Sequence, residues 1–229
     1  YHHAPRRHDS TASYPPIVGG GANACILHYT DNNAVLNDGD LVLVDAGCET
    51  DMYASDVTRT FPVNGRFSPE QRAIYDIVLE AQLAAIDKTR AGNHWNEPHE
   101  ACVRVITLGL RKLGLLAGDL RQLIRDEAYK SFFMHRTGHW LGIDVHDVGD
   151  YKVDDAWRLL EPGMVTTVEP GIYIAPNAKV KRCWRGIGVR IEDDVLVTRG
   201  EPDVLSKGLI KDAEDIEAWM RKFADQAVA

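Results

Sequence analysis

Two nine-residue stretches of the chain carry an acidic residue in the same frame. Residues 39–47 (GDLVLVDAG) and 163–171 (GMVTTVEPG) each begin with glycine, run through an apolar segment, and reach an acid two residues before a closing glycine. A second acid follows each stretch, so the set is Asp45 and Asp56, then Glu169 and Glu192. The frame fits two unrelated strand ends, because glycine and acids commonly bound strands. It also fits an internal duplication whose halves pack about a pseudo-two-fold axis.

A duplication would bring the four carboxylates into one cleft, where like charges raise one another's pKa values. Divalent cations remove that cost, and oxygen-rich sites suit hard ions such as Mn²⁺ and Mg²⁺. A carboxylate has two oxygens and can bridge two ions, so four acids and one imidazole can hold a pair. This interpretation predicts a two-metal site.

A histidine-rich segment offers the imidazole. His135, His139 and His146 fall within twelve residues of a chain that has nine histidines. The HExxH motif of zinc helices is absent, because Arg136 stands where the glutamate would be, and two glycines interrupt the segment. Each histidine taken alone is equally well explained as a hydrogen-bonded structural residue. The cluster as a whole favours an active site.

Strands are predicted where they would position the acids. Apolar or β-branched runs bounded by turn residues predict five of them, at residues 41–44, 58–63, 165–168, 189–191 and 195–197. The turn after the second is marked by Asn64-Gly65.

Helices are predicted from capping signals and from helical spacing. Ser68 as N-cap, Pro69 at the first position and Gln71 three residues after the cap predict a helix start. A second helix is predicted from Asn96 to Gly114. A last amphipathic helix follows Asp212, with an apolar face predicted to lie in the core: Ile216, Trp219, Met220 and Phe223. Strands and helices without regular βαβ alternation predict an α+β fold.

Composition excludes several classes of protein. The formal net charge of −8 and the lack of a basic stripe argue against nucleic-acid binding. The chain has no run of about 18 apolar residues, so we predict no membrane span. No signal peptide is visible. The four cysteines have no CxxC spacing and suit a reducing compartment, so we expect a cytoplasmic protein.

The first sixteen residues differ from the rest of the chain. They are polar, with His2, His3 and His8, and we interpret 1–16 as the end of a truncated upstream segment. A metal role for these histidines is the less favoured alternative. Residues 17–229 are predicted to form one catalytic domain.

Seven short motifs then become recognisable together. They are residues 25–29 (CILHY), 44–47 (VDAG), 56–60 (DVTRT), 139–142 (HWLG), 145–149 (VHDVG), 168–171 (VEPG) and 188–192 (GVRIE). In this order they resemble aminopeptidase P, the Xaa-Pro aminopeptidase of the pita-bread metallopeptidase family. The resemblance runs from about Ser13 to the last helix. It implies a pita-bread fold, a pseudo-two-fold repeat around a curved antiparallel sheet.

The resemblance also implies roles for particular residues. Asp45 would chelate one of two Mn²⁺ ions per chain, although other divalent ions fit as well. Asp56 and Glu192 would bridge both ions, and His139 and Glu169 would complete the second.

Around the metals, the resemblance implies substrate-binding residues: His28, His135, His146, Tyr173 and Arg190. Metal-assisted hydrolysis would cleave the bond before a penultimate proline. His28 or His146 would hydrogen-bond the developing oxyanion. Glu169 would carry a proton to the leaving imino nitrogen. For the full-length form, the resemblance implies an N-terminal domain and a homo-oligomer.

Other functions on the same fold stay open at this point. A prolidase shares the metals but accepts only dipeptides, and a methionine aminopeptidase is a more distant alternative. A metal-free binding module on this fold would lack several acidic ligands, whereas all five ligand positions are filled here. One departure from the family pattern is Arg136, since the family often has glycine directly after the first cleft histidine.

Overall fold

A computed structural model describes the backbone of residues 10–227 and the side chains of residues 10–222. The interpretation of His2, His3 and His8 therefore lies outside the described residues, as does the side chain of Phe223. None of the described helices combines the length and apolar character that crossing a bilayer requires.

The first half of the chain is rich in short antiparallel strands. They are β1 (Thr11–Ala12), β2 (Ile17–Gly20), β3 (Leu41–Ala46), β4 (Cys48–Thr50), β5 (Tyr53–Ala54) and β6 (Val57–Pro62). The central strand β3 pairs with β2 on one side and with β6 on the other. A smaller sheet has the order β1-β4-β5, so the chain before β2 is already part of the fold.

The second half contains seven more strands. They are β7 (Lys152–Val153), β8 (Ala156–Trp157), β9 (Val165–Val168), β10 (Gly171–Ile174), β11 (Ile187–Arg190), β12 (Asp193–Leu196) and β13 (Asp203–Val204). Their sheets have the orders β7-β8, β10-β11 and β13-β12-β9. The strand predicted at residues 195–197 begins two residues earlier than expected, because Asp193 and Asp194 pair with β9 despite their low strand propensity. The strand predicted at 189–191 also begins two residues earlier, because Ile187 and Gly188 pair with β10.

The two stretches that carry the same sequence frame each supply one strand of an antiparallel pair. The pairs are β3 with β6 and β9 with β12. In the first pair, Asp45 near the end of β3 lies opposite Thr58 in β6, and Asp56 directly precedes β6. In the second pair, Glu169 directly follows β9 and Glu192 directly precedes β12. The pairs adjoin at the acids, since the Glu192 amide donates to the Thr58 carbonyl at 3.1 Å. Each strand pair therefore delivers two acids to the junction.

The closing glycines of the two stretches are required by close contacts. A Cβ at Gly47 would lie 1.7 Å from the Ser55 carbonyl oxygen, and one at Gly171 would lie 2.3 Å from the Tyr173 hydroxyl oxygen. No larger residue fits either position without moving backbone or an aromatic ring. The repeated glycine is thus a packing requirement beside each acid.

A buried arginine ties the two strand pairs together behind the acids. Arg59 Nη1 donates to the carbonyls of Thr58 at 2.9 Å and Glu192 at 2.6 Å. Its Nη2 lies 2.7 Å from Asp193 Oδ1. Although burial raises the pKa of Asp193, the charges of Arg59 and Lys211 outweigh that effect and leave it below its ordinary value.

Four α-helices complete the described part of the chain. They are α1 (Pro69–Lys88), α2 (Glu97–Lys112), α3 (Leu120–Arg125) and α4 (Ala213–Ala227). The capping box that predicted the start of α1 is present, with Gln71 N 3.2 Å from Ser68 Oγ and Ser68 N 2.9 Å from Gln71 Oε1. Helix α1 buries one apolar face in a core shared with β9, β10 and β11: Ile74, Val78, Ala81 and Ala85.

One prediction for the last helix is wrong. Ala213 and Ile216 are buried and Met220 packs against the core, whereas Trp219 is 50 % exposed. At about 100° per residue, Trp219 lies roughly 90° from the centre of the stripe formed by the other three. Helix α4 contacts the core along this narrow stripe. The apolar face of the helix is wider than the stripe, and Trp219 lies on the part that the core does not cover.

Candidate metal centre

The predicted site residues meet in one cavity of about 840 Å³. Its lining includes all five predicted metal ligands together with His28, His135, His146 and Arg190. Tyr173 is not part of this lining, but its hydroxyl is hydrogen-bonded to two residues that are, His135 and Arg190. The structure therefore brings together side chains that are separated by up to 164 positions in the sequence.

Potential ligand atoms of Asp56, His139 and Glu192 lie within 4.8 Å of one another. His139 Nε2 is 3.4 Å from Asp56 Oδ2 and 3.7 Å from Glu169 Oε1. This spacing suits donors that surround a shared ion, because metal–oxygen and metal–nitrogen bonds are about 2.0–2.2 Å long and place ligand atoms about 3–4 Å apart.

Burial and mutual repulsion dominate the electrostatics of the acids. Burial, reinforced by the charges of Asp56 and Glu169, raises the pKa of Glu192 well above its ordinary value. Burial likewise raises the pKa of Glu169 to about 7, and it raises that of Asp45 against the opposing charge of Arg190. Divalent cations would reduce the repulsion between these carboxylates and favour their charged forms.

Asp56 and His139 form a pair with the opposite behaviour. Burial raises the pKa of Asp56, but hydrogen bonds with His139 and Tyr14 outweigh burial and leave the pKa below its ordinary value. Burial lowers the pKa of His139, but the hydrogen bond to Asp56 and the charge of Glu169 leave it raised. The imidazole thus faces negative charge, as a metal-binding histidine does when it lies among carboxylates.

Neighbouring groups fix the orientation of two of these side chains. Thr58 Oγ1 donates to Glu192 Oε2 at 2.6 Å. His139 Nδ1 lies 2.9 Å from the Trp140 carbonyl, which makes Nδ1 the protonated nitrogen and leaves Nε2 to face the carboxylates. Such supporting bonds are typical of metal sites, where they set the tautomer and the direction of each ligand.

A chain of hydrogen bonds leads from Asp45 to the loop after α3. Arg190 Nη2 donates to Asp45 Oδ2 at 2.6 Å, and Nη1 donates to the Tyr173 hydroxyl at 3.1 Å. Tyr173 in turn lies 2.8 Å from His135 Nε2, while His135 Nδ1 lies 2.7 Å from the Arg136 carbonyl. Burial lowers the pKa of His135 to about 4, so the ring is neutral, donates through Nδ1 and accepts from Tyr173.

The other two predicted histidines lie on the open side of the cavity. His28 and His146 are exposed in the described structure. The rings of His146 and His139 are 4.3 Å apart, edge to face. Burial, together with the charge of His139, lowers the pKa of His146 below its ordinary value. Both histidines can present an N–H to a ligand in the cavity.

Sequence reasoning missed Tyr14. Its hydroxyl oxygen lies 2.5 Å from Asp45 Oδ1 and 2.5 Å from Asp56 Oδ1. Burial, with the charges of Asp45 and Asp56, raises its pKa above the ordinary value, so the phenol stays protonated and donates to one of the two acids. Tyr14 belongs to the segment 1–16 that was set apart by composition, and no local signal marks it.

The donor set fits divalent metal ions. Four carboxylates and one imidazole are hard or borderline ligands, and the nearest cation, Arg190, neutralises only part of their charge. Two of the carboxylates, those of Asp56 and Glu192, lie at the junction between the two strand pairs and close to His139.

Comparison with known sequences gives a consistent family. The profile of Metallopeptidase family M24 matches residues 1–199. The "Xaa-Pro aminopeptidase" of Haemophilus influenzae is 55 % identical over 208 residues, which are 91 % of this chain and 48 % of that protein. The "Xaa-Pro aminopeptidase" of Escherichia coli is 53 % identical over 220 residues, 96 % of this chain and 50 % of that protein. The chain spans about half the length of these relatives.

Solved structures agree with the sequence comparison. Aminopeptidase PepP from Pseudomonas aeruginosa has a TM-score of 0.92 and 64 % identity, over 93 % of this chain and 48 % of that one. A variant of aminopeptidase P from Escherichia coli has a TM-score of 0.94 and 52 % identity, over 96 % of this chain and 50 % of the other. The chain belongs to metallopeptidase family M24 and has the pita-bread fold of aminopeptidase P.

Proposed function

We propose that this chain carries the catalytic centre of a dimanganese aminopeptidase that hydrolyses the bond between an N-terminal residue and a penultimate proline. The observation that carries the proposal is the convergence of four carboxylates and His139 on one cavity that is open to a peptide. The choice of substrate rests on relatives that are named Xaa-Pro aminopeptidase and are 55 % and 53 % identical.

In this proposal Asp45 would hold one ion, Asp56 and Glu192 would be shared by both, and His139 and Glu169 would complete the second. The shared roles are supported by the 4.8 Å cluster of Asp56, His139 and Glu192. Thr58 orients Glu192 through its hydrogen bond to Oε2. Mn²⁺ is proposed because oxygen donors predominate, although other hard divalent ions satisfy the same argument. When bound, the ions supply a water of lowered pKa and a Lewis acid for the scissile carbonyl.

The other side chains bind and orient the peptide. His28 and His146 donate hydrogen bonds to the carbonyl oxygen as negative charge develops on it. Glu169 takes up a proton from the attacking water and transfers it to the imino nitrogen of proline as the C–N bond breaks and that nitrogen leaves. His135 and Arg190 border the cleft, and Tyr173 joins them by hydrogen bonds from outside the cavity lining. Arg190 holds Asp45.

The carboxylates also favour a free N-terminal amine, because its positive charge is attracted to the acidic end of the cavity. This preference would make the enzyme an exopeptidase. The proposal includes residues 17–229 as the catalytic domain, to which β1 and Tyr14 of the preceding segment also contribute. It further includes a homo-oligomer for the full-length form and a cytoplasmic location. The location is supported by the four cysteines, which are free in the described structure.

The test is a peptide panel in which the Mn²⁺-loaded protein meets Xaa-Pro tripeptides, Xaa-Ala tripeptides and Xaa-Pro dipeptides, with products identified by mass. We expect release of the first residue from Xaa-Pro tripeptides and little release from the Xaa-Ala series. Cleavage of dipeptides alone would identify a prolidase instead. No cleavage of any peptide by the loaded protein would refute the proposed function.

A further inference from the structure

Two cations lie on the ring of one tryptophan in the wall of the cavity. Lys152 and Trp157 face each other across the hairpin formed by β7 and β8. Lys152 Nζ lies 4.6 Å from the ring centroid of Trp157, and Arg136 Cζ lies 5.1 Å from it. All three residues line the 840 Å³ cavity. We call Arg136 and Lys152 the cationic pair.

Neither residue of the cationic pair forms a close ion pair. Among residues 10–222, no carboxylate oxygen lies within 4.0 Å of a side-chain nitrogen of Arg136 or Lys152. The nearest acid whose charge acts on Arg136, Glu100, lies beyond that distance. Arg136 Nη2 donates to a neutral group, the side-chain oxygen of Asn96, at 2.6 Å. Ring contacts leave N–H donors available, because a cation over an aromatic face is attracted to the ring itself. Several donors of the pair therefore stay open to a ligand.

The cavity lining consequently carries side chains of both charges. Its acidic side chains are all predicted metal ligands, and its third cation, Arg190, is already bonded to Asp45. A peptide that enters with its amine at the acids would extend its remaining residues past proline, away from the metal centre. The cationic pair is the positively charged part of the lining that is left to meet them.

We infer that Arg136 and Lys152 bind a carboxylate of the peptide downstream of proline, and that they make short or acidic Xaa-Pro peptides the preferred substrate class. This inference rests on the proposed function. The carboxylate can come from the C-terminus of a short peptide or from an Asp or Glu side chain after proline. Trp157 acts as a platform that restricts the two flexible side chains, which lowers the entropy lost on binding.

The experiment compares matched peptides with the Mn²⁺-loaded protein. Ala-Pro-Ala and its C-terminal amide isolate the terminal carboxylate. Ala-Pro-Glu-Ala-Ala amide and its Gln counterpart isolate a side-chain carboxylate. The variants are Arg136→Gln, Lys152→Gln and the double variant. Arg158→Gln is the matched control, because Arg158 follows Trp157 directly but lines a different surface pocket.

We expect the unaltered protein to prefer the carboxylate peptide of at least one set, through a lower KM. Partly exposed charge pairs contribute modestly, so each single substitution should reduce that preference roughly twofold to fivefold, and more in the double variant. The loss should appear in KM with little change in kcat, as expected for a contact made equally in the ground and transition states. Added salt should reduce the preference as well.

Two outcomes would overturn the inference while leaving the proposed function intact. One is an equal loss of kcat/KM on the carboxylate and amide peptides. The other is a carboxylate preference that Arg136→Gln and Lys152→Gln leave unchanged, or that Arg158→Gln reduces as much as they do.

If the unaltered protein cleaves none of the peptides, the proposed function fails, and the cationic pair is tested by binding alone. Calorimetry of the same peptides with EDTA-treated protein should show tighter binding of the carboxylate form and loss of that difference in the double variant. Equal binding of the two forms would overturn the inference.

Discussion

The hydroxyl of Thr58 provides a sensitive test of how the metal centre is supported. Thr58 is fully buried, donates to Glu192 Oε2 at 2.6 Å and accepts from Arg190 Nε at 3.2 Å. Thr58→Val keeps the shape and removes both bonds. Loss of a group that orients a metal ligand reduces metal affinity about 10- to 100-fold, which corresponds to about 1.4–2.8 kcal/mol.

Thr60→Val is the matched control for this substitution. Thr60 lies two residues further along β6 and is equally buried. Among the described residues, its hydroxyl bonds only to the backbone of Arg190, at 2.9 Å and 3.3 Å. Both variants should lose folding stability, because each leaves buried partners without a hydrogen bond, at about 1–3 kcal/mol. Thr58→Val alone should also lose metal affinity.

The assay is calorimetric titration of EDTA-treated protein with Mn²⁺, in parallel with urea denaturation of the same samples. Our reasoning predicts weaker Mn²⁺ binding in Thr58→Val and near-normal binding in Thr60→Val at comparable loss of stability. Equal affinities in the two variants would refute the role of Thr58 in orienting Glu192, whatever their stabilities.

Three further predictions concern a metal ligand, the two exposed cleft histidines and a buried histidine of α2. Asp56→Asn should weaken both metal sites, because a bridging ligand serves both ions; elemental analysis that still finds full double occupancy would rule out the bridge. His28→Ala and His146→Ala should retain metal and lose turnover roughly 10²–10³-fold, and loss of metal in either variant would make that histidine a ligand. Burial lowers the pKa of His99 to about 3, below its ordinary 6.5, so the unfolded chain binds more protons between these values and this contribution to stability declines as pH falls below about 6.5. Denaturation of EDTA-treated protein at pH 5 and pH 7 should show a smaller difference in His99→Gln than in the unaltered chain, and an unchanged difference would contradict this explanation.

The sequence predicted best those features that local signals encode. The capping box at Ser68 and the strand at Val165–Val168 were both found as predicted, since each depends on neighbouring residues. The equivalence of Asp45 and Glu169 could be predicted, because the same glycine–strand–acid frame occurs twice in the sequence. A repeat is a rare case in which one sequence carries information about long-range geometry.

Features that depend on distant contacts were not predicted. Tyr14 reaches Asp56 across 42 positions, and Thr58 reaches Glu192 across 134. Nothing near either residue marks its partner, because hydrogen bonds between remote segments follow from the fold and not from local propensity. The prediction that Trp219 lies in the core was wrong for a related reason. Periodicity shows which face of a helix is apolar but not how much of that face its neighbours cover.

The proposed function requires two divalent ions at one carboxylate cluster. Its most direct test follows release of the first residue from an Xaa-Pro tripeptide while Mn²⁺ is added stepwise to EDTA-treated, dialysed protein. We expect no release without metal and a rate that rises to a plateau at about two ions per chain. Full activity in the presence of chelator, or a plateau at one ion per chain, would contradict it.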